Sequence, residues 1–430
     1  MTTTVEVFAA EAHAWLAAAV GRPAADVPLT ESVAVFRSLA HEAEGALVAD
    51  AAAWQRRKFD AGYGAIAWPE EFGGAGLTQE HARAFTRAEA SYPTPPDHEL
   101  RRITVNLVAP TLRTKGSPAL QERFIRPFLR CDQLACQLFS EPGAGSDLAG
   151  LRTRAQLDGA DWVVHGAKVW VSGAQFADWG LLLARTDPDV PKHTGITAFL
   201  VPMAADGVKV RPIRQLTGGC SFNEVFFDAL RISDELRIGA VGEGWGVATS
   251  MLAFERNQSG SRAGVGGSWE QLLALAQRSN ASADPVKRQR LARVYVHERL
   301  RALTRQRAEE AARRSQIGAA AAVTSPAGTP GPEGSMGKLL WAQGLIAIGD
   351  MAATLAGPQL VANTGAPGTY AWAEHVLGAP GFRIAGGSDE IQRNILAERV
   401  LSLPREPRPG PAGGIKGSRP FGANEVADAR

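Results

Sequence analysis

The run Gln137-Leu-Phe-Ser-Glu-Pro-Gly-Ala-Gly-Ser-Asp-Leu148 constrains this chain more than any other stretch. It opens as a strand and closes as a turn. Pro142 fixes φ and removes a backbone donor. Gly143 and Gly145 permit positive φ and close backbone approach. Ser140 and Ser146 add hydroxyls on either side. A turn of this kind presents several N–H groups to one anionic or carbonyl-rich ligand. Gly-x-Gly alone marks an ordinary turn; the longer string is far more specific.

Bulk numbers exclude several classes. A chain of 430 residues exceeds ordinary single-domain size, so two or three units are expected. The 46 basic and 44 acidic residues nearly balance, which argues against a nucleic-acid binder held by phosphate contacts. Cys131, Cys136 and Cys220 are too few and scattered for a disulfide framework or a zinc site, so no metal is expected. No apolar run is expected to approach the length needed to cross a bilayer, and the acidic, Ala-rich start does not read as a signal peptide. A reducing, cytoplasmic location fits these features.

Residues 1–133 read as helical, with apolar positions at helical spacing over Phe8–Ala19 and Val33–Ala53. Trp68-Pro-Glu-Glu-Phe-Gly-Gly-Ala-Gly-Leu77 is a loop. Thr78 is the expected N-cap of a helix running to Glu89. Residues 134–241 change to period-two and β-branched runs: Asp161–His165, Trp179–Ala184, Gly195–Val201, Val208–Ile213 and Asn223–Phe227. Their short, regular spacing predicts an antiparallel β barrel or sandwich. Residues 242–405 return to helix: a long one over about Val247–Ala276, another over about Asp284–Ser315, and one from Met336 to about Leu355. In the second, Leu291, Val294, Leu300 and Leu303 suggest a buried stripe. Its ten Lys or Arg residues suggest a solvated face, or attraction for the phosphates of a ligand. Residues 318–334 read as a flexible loop. Gly386-Gly-Ser-Asp-Glu-Ile-Gln-Arg393 opens a last helix to about Leu403. Residues 406–430 read as a disordered tail. Gly264-Val-Gly-Gly-Ser is no dinucleotide fingerprint, since it is expected within a helix.

The Gln137–Leu148 string resembles the flavin-binding signature of the acyl-CoA dehydrogenase family, and Gly166-Ala-Lys-Val-Trp-Val-Ser172 is similar to that family's second flavin motif. The resemblance runs from about residue 30 to about residue 405. It implies an α+β fold: an N-terminal all-α domain, a central antiparallel β-barrel or sandwich domain, and a C-terminal four-helix bundle. It implies FAD, with Gln137, Phe139, Ser140, Gly145 and Ser146 lining the flavin and its pyrophosphate. Trp170 would lie against the isoalloxazine ring and Ser172 near its N5. Ser388 and Glu390 match cofactor-touching positions, or serve only to cap the last helix. Ser146 and Arg256 match positions near substrate.

Dehydrogenating a thioester at Cα–Cβ requires a base for the α-proton, and a carboxylate in an apolar site suits that task. Many relatives place it just before the Gly-Thr-Ser segment, where this chain has Gly386. Glycine offers only a backbone N–H, as a donor to the substrate carbonyl. A second subset, which includes isovaleryl-CoA dehydrogenase, puts the base on the long helix, and Glu255 occupies that place. On a helix Glu255 shares a face with Val247, Met251 and Leu252, so it is either used or paired. The expected reaction is oxidation of an acyl-CoA to the 2,3-enoyl-CoA. Electrons would pass to electron-transfer flavoprotein, and the assembly would be a homodimer or homotetramer. The alternatives are an oxidase or monooxygenase on the same fold, and one subunit of a hetero-oligomer. No Arg-x-x-Phe-Gly segment, which in many relatives holds the adenine end of FAD across subunits, occurs between Ser279 and Gly337.

Overall fold

The computed structural model describes residues 3–22, 33–259, 265–318, 333–362 and 370–405. The expected 318–334 loop (but for its ends) and the 406–430 tail lie outside these residues.

The N-terminal region is helical: α1 (Val5–Val20), α2 (His41–Asp60), α3 (Gln79–Glu89), α4 (Glu99–Ile103), α5 (Ala109–Lys115) and α6 (Pro118–Arg130). Thr78 caps α3 in a box completed by His81. The helix expected over Val33–Ala53 begins only at His41. The preceding Val33–Phe36 is buried elsewhere. Val33 packs with Leu272 and Trp372, and Val35 with Trp341 and Phe382. Tertiary burial of this β-branched run outweighs its helical spacing. Between α4 and α5 a π-turn spans Thr104–Val108. There the Thr104 hydroxyl accepts from Ala135 N at 2.8 Å and so seats the first strand.

Eight strands form one hydrogen-bonded sheet: β1 (Ala135–Leu138), β2 (Arg154–Asp158), β3 (Asp161–Ser172), β4 (Trp179–Arg185), β5 (Ile196–Pro202), β6 (Val208–Ile213), β7 (Phe222–Ser233) and β8 (Arg237–Ile238). The order is β6-β7-β3-β2-β4-β5-β8, with β1 parallel beside β4. Most joins are antiparallel, as the pattern predicts. Strands β2 and β8 escaped it because β2 is mostly exposed and polar, and β8 has only two residues. The Leu181–Ala184 segment of β4 and Ile196–Val201 of β5 are wholly buried, so they read as continuous apolar runs. Strand β3 crosses β7 through register shifts between Val164 and Gly166 and between Lys168 and Val171. Both fall at the second motif.

The C-terminal region holds α7 (Gly244–Ser259), α8 (Trp269–Arg278), α9 (Pro285–Gly318), α10 (Glu333–Ala356), α11 (Ala371–Gly378) and α12 (Asp389–Ile395). The single helix expected over Val247–Ala276 is two. Gly266 takes a left-handed φ of 74°, and Ser268 with Gln271 starts α8 with a capping box. Val265–Ser268 is therefore not helical, contrary to expectation. Nearby, Gly267 N donates to His375 Nδ1 at 2.9 Å, and His375 Nε2 donates to Leu345 O at 2.8 Å.

Two other expectations fail. On α9, Leu291 and Val294 are buried, but Leu300 and Leu303 are 53% and 52% exposed. Among the described residues the helix outruns its cover, so the apolar stripe continues without a neighbour there. Helix α12 is short and passes into a π-turn over Leu396–Val400. The expectation that no run approaches bilayer length also fails: the Gly334–Leu360 stretch, 27 residues with mean hydropathy 1.4, is long and apolar enough for one. Half of that window is buried within the fold, where α10 packs against α7, α8, α9, α11 and α12. Burial inside a helical core selects the same composition.

Candidate active site

Strand β1 leads into the first motif. Phe139 is buried behind it, while Gln137 and Ser140 are half-buried. Ser140 O accepts from Val169 N at 2.9 Å, so the two motifs meet edge to edge. The turn folds back through paired backbone bonds between Glu141 and Ala144. Gly143, Gly145 and Ser146 are exposed. Neither glycine adopts the positive φ that the sequence suggested. A Cβ on either would meet nothing within 4 Å, so what they provide is bare backbone facing open space.

Beneath the turn sits a buried ion pair. Lys168 Nζ donates to Glu141 Oε1 at 2.8 Å and to Phe139 O at 3.1 Å. The Glu141 carboxylate also accepts from Arg152 N at 2.7 Å and Thr153 N at 2.8 Å. Burial opposes its ionisation. The Lys168 ammonium and these donors overcome that and hold its carboxyl below the usual range. Breaking such a pair leaves one buried charge uncompensated. Gly166 lets β3 pass: its φ is 151°, and a Cβ would come within 2.5 Å of Thr153 Oγ1.

Four residues beyond Gly166, Trp170 has φ 60° and is 60% exposed, edge-on to Phe222 with ring centroids 6.2 Å apart. A left-handed, exposed tryptophan on a β-bulge is strained and has no packing reason to be there. Ser172 ends β3.

The second cluster joins three helices. Glu255 lies on α7, half-buried, in line with buried Val247 and Met251 and half-buried Leu252. On α10, Lys338 is 1% exposed. Its Nζ donates to Gly387 O at 2.7 Å and lies 3.8 Å from Asp389 Oδ1. Burial pulls the ammonium's pKa down; Asp389, then Glu255, push it back up. Gly386 and Gly387 have φ of 70° and 87°. Gln392 Nε2 donates to both of their carbonyls, at 2.9 and 3.3 Å. Ser388 caps α12 by accepting from Ile391 N. Asp389 is buried and accepts from Arg383 at 2.8 Å, whereas the Glu390 side chain is 73% exposed. The Arg256 side chain lies outside what is described.

Family profiles match two stretches: "acyl-CoA dehydrogenase, middle domain" over residues 136–230 and "acyl-CoA dehydrogenase, C-terminal domain" over residues 242–401. The chain is 40% identical over 357 residues to acyl-CoA dehydrogenase IpdE1 of Mycobacterium tuberculosis, covering 82% of this chain and 88% of that protein. The chain belongs to the acyl-CoA dehydrogenase family. In the same organism, acyl-CoA dehydrogenase FadE34 is 39% identical over 69% of this chain and 39% of its own length. Among solved structures, the Tcur3481-Tcur3483 steroid ACAD has a similar fold, with TM-score 0.72 and 24% identity over 94% of this chain and 98% of that one. The ChsE4-ChsE5 complex from Mycobacterium tuberculosis has TM-score 0.66 and 24% identity, over 94% of this chain and 99% of that one.

Members of this family are FAD-dependent flavoproteins and oxidoreductases. The residues present suit such a cofactor: an exposed aromatic face at Trp170 beside an open Gly/Ser turn, both fixed by one buried ion pair. The sequence reading passed over that pair, although Glu141 and Lys168 both lie inside the motifs. A lysine flanked by apolar residues in a strand was the available signal. Lys338 was missed too. Its signal was a lone charge in Met336-Gly-Lys-Leu-Leu-Trp341, an otherwise apolar run.

Proposed function

We propose that this chain catalyses FAD-dependent α,β-dehydrogenation of an acyl-CoA thioester, with Glu255 taking the α-proton. The observation that carries this reading is the environment of three rival carboxylates. Asp389 is committed to Arg383 and Lys338. The Glu390 side chain is largely in solvent, away from the apolar setting that suits a proton acceptor. Glu255 is half-buried on an apolar helix face, near the lysine that is bonded to the Gly386–Gly387 turn. Both family base positions thus converge on Lys338, and only one of them holds a carboxylate.

When bound, FAD supplies the acceptor for the β-hydride. In this reading Gln137, Phe139, Ser140, Gly145, Ser146, Trp170 and Ser172 hold it, with Ser388 and Glu390 at the other edge. Ser146 and Arg256 contact substrate. The N–H groups of the Gly386–Ser388 turn donate to the thioester carbonyl.

Ring-bearing acyl groups head the substrate panel, because one fold neighbour is named a steroid ACAD. Anaerobic titration with acyl-CoAs of graded bulk tests the reading. Bleaching of the flavin absorbance by at least one of them is the expected result, and an unbleached flavin across the panel refutes it.

For assembly, the Val296, Leu300 and Leu303 face of α9 is apolar and exposed, so we infer an oligomer that covers it, with electron-transfer flavoprotein taking the electrons. Light scattering of the chain expressed alone distinguishes a homo-oligomer from a chain that needs a different partner.

A further inference from the structure

We propose that Lys338 is a positioning residue for the reaction: its buried ammonium locks the Gly386–Gly387 turn and puts a positive charge where α10 packs on α7, the helix that carries Glu255. This rests on the reading of Glu255 as the base.

The turn is pinned by its carbonyls. Gly386 O is held by Gln392 from α12, and Gly387 O by Lys338 from α10. In a planar trans peptide the C=O and N–H of one unit point in opposite directions. Pinning these two carbonyls inward therefore aims the N–H groups of Gly387 and Ser388 the other way. Consecutive left-handed residues turn successive N–H groups toward one side and form an anion-binding concavity. Glycine is required here, since each φ is left-handed and a Cβ on Gly387 would approach Gln392 Nε2 to 2.5 Å.

The ammonium's other partners leave part of its field available. Asp389 stands at 3.8 Å, beyond a hydrogen bond, and is itself claimed by Arg383 at 2.8 Å. Asp389 Oδ1, Gln392 Oε1 and Ser335 Oγ have no hydrogen-bond partner among the described residues. Charged and titratable groups come from α7, α9, α11, α12 and the turn before α12. Glu255 comes from α7, and Asp389, Glu390 and Arg393 from α12. Arg383 comes from the turn before α12, His297 and Glu298 from α9, and His375 from α11. Two of these neighbours are occupied elsewhere, His297 by Leu340 O and His375 by Leu345 O. A cation next to a carboxylate favours its ionised form, the form that accepts a proton.

The test compares Lys338→Met, Lys338→Gln and Lys338→Arg with the unaltered protein and with Glu255→Gln. Three quantities are read. These are retained flavin absorbance, the pH profile of flavin bleaching by acyl-CoA, and hydrogen exchange of the 384–392 peptide in flavin-free protein. In Lys338→Met and Lys338→Gln the acid limb of the profile should move to higher pH. On that limb the rate falls about tenfold per pH unit of movement. Exchange in the 384–392 peptide should quicken in Lys338→Met, while Lys338→Arg restores the profile.

A neutral variant with an unmoved acid limb overturns the proposal. So does loss of flavin from both neutral variants while Lys338→Arg keeps it, since that makes Lys338 purely structural. If Glu255→Gln bleaches normally, the base assignment fails instead, whatever Lys338 does.

Discussion

Two buried lysines divide this molecule, and they are buried on different terms. Lys168 is closed off: Glu141 and Phe139 O accept its hydrogen bonds, and Arg152 N and Thr153 N donate to the carboxylate. Lys338 is looser. Asp389 Oδ1 stands 3.8 Å from it, and three polar atoms around it lack a hydrogen bond among the described residues. A fully satisfied buried network rigidifies, whereas a partly satisfied one retains capacity for another group. The first lysine thus braces a platform, and the second leaves field and donors for chemistry.

Four substitutions sharpen or break that contrast. Glu255→Gln should have the largest effect. It should leave FAD bound and slow anaerobic flavin bleaching by about a hundred- to ten-thousand-fold, the usual contribution of a general base. If Asp389→Asn or Glu390→Gln abolishes bleaching while Glu255→Gln does not, the base lies on the C-terminal turn.

Lys168→Met comes next and should act on stability. Leaving Glu141 buried without its cation costs about 3–5 kcal/mol, read by denaturant unfolding. The pH dependence follows from sign. The folded carboxyl of Glu141 is held low, so its stabilisation is full above the unfolded carboxyl range and is lost as pH falls below it. Lys168→Met should remove most of that acid sensitivity. Unchanged unfolding would show that the platform does not depend on the pair.

Gly166→Ala should cost about 1–3 kcal/mol, because β3 would have to shift away from Thr153 and adopt a strained φ. The smallest stability effect belongs to Trp170→Gly. Removing an exposed side chain at φ 60° should change unfolding by no more than about 0.5 kcal/mol, while FAD affinity drops measurably by equilibrium dialysis. A large stability loss there would mean that Trp170 serves the fold and not the ligand.

The order helix, sheet, helix was legible because burial periodicity survives in each element. Thr78 as a cap and the β4 and β5 runs are examples. Where periodicity conflicted with packing, packing prevailed. Val33–Phe36 has helical spacing, yet it threads into the C-terminal helices, where Val33 O lies 3.3 Å from His375 Nδ1 across 342 positions of sequence. Leu300 and Leu303 carry a stripe that finds no cover among the described residues.

By itself, the sequence determined the platform. Glu141 and Lys168 are 27 residues apart, and the Val169 N to Ser140 O hydrogen bond joins the two motifs that carry them, so turn chemistry and one backbone bond bring them together. Only the tertiary structure brought Lys338 to Gly387, 49 residues away, and Glu255 into the field of that lysine. Neither α7, α10 nor α12 encodes that meeting alone. Each helix records only which of its faces is apolar, and the partner for a buried charge is chosen when those faces pack.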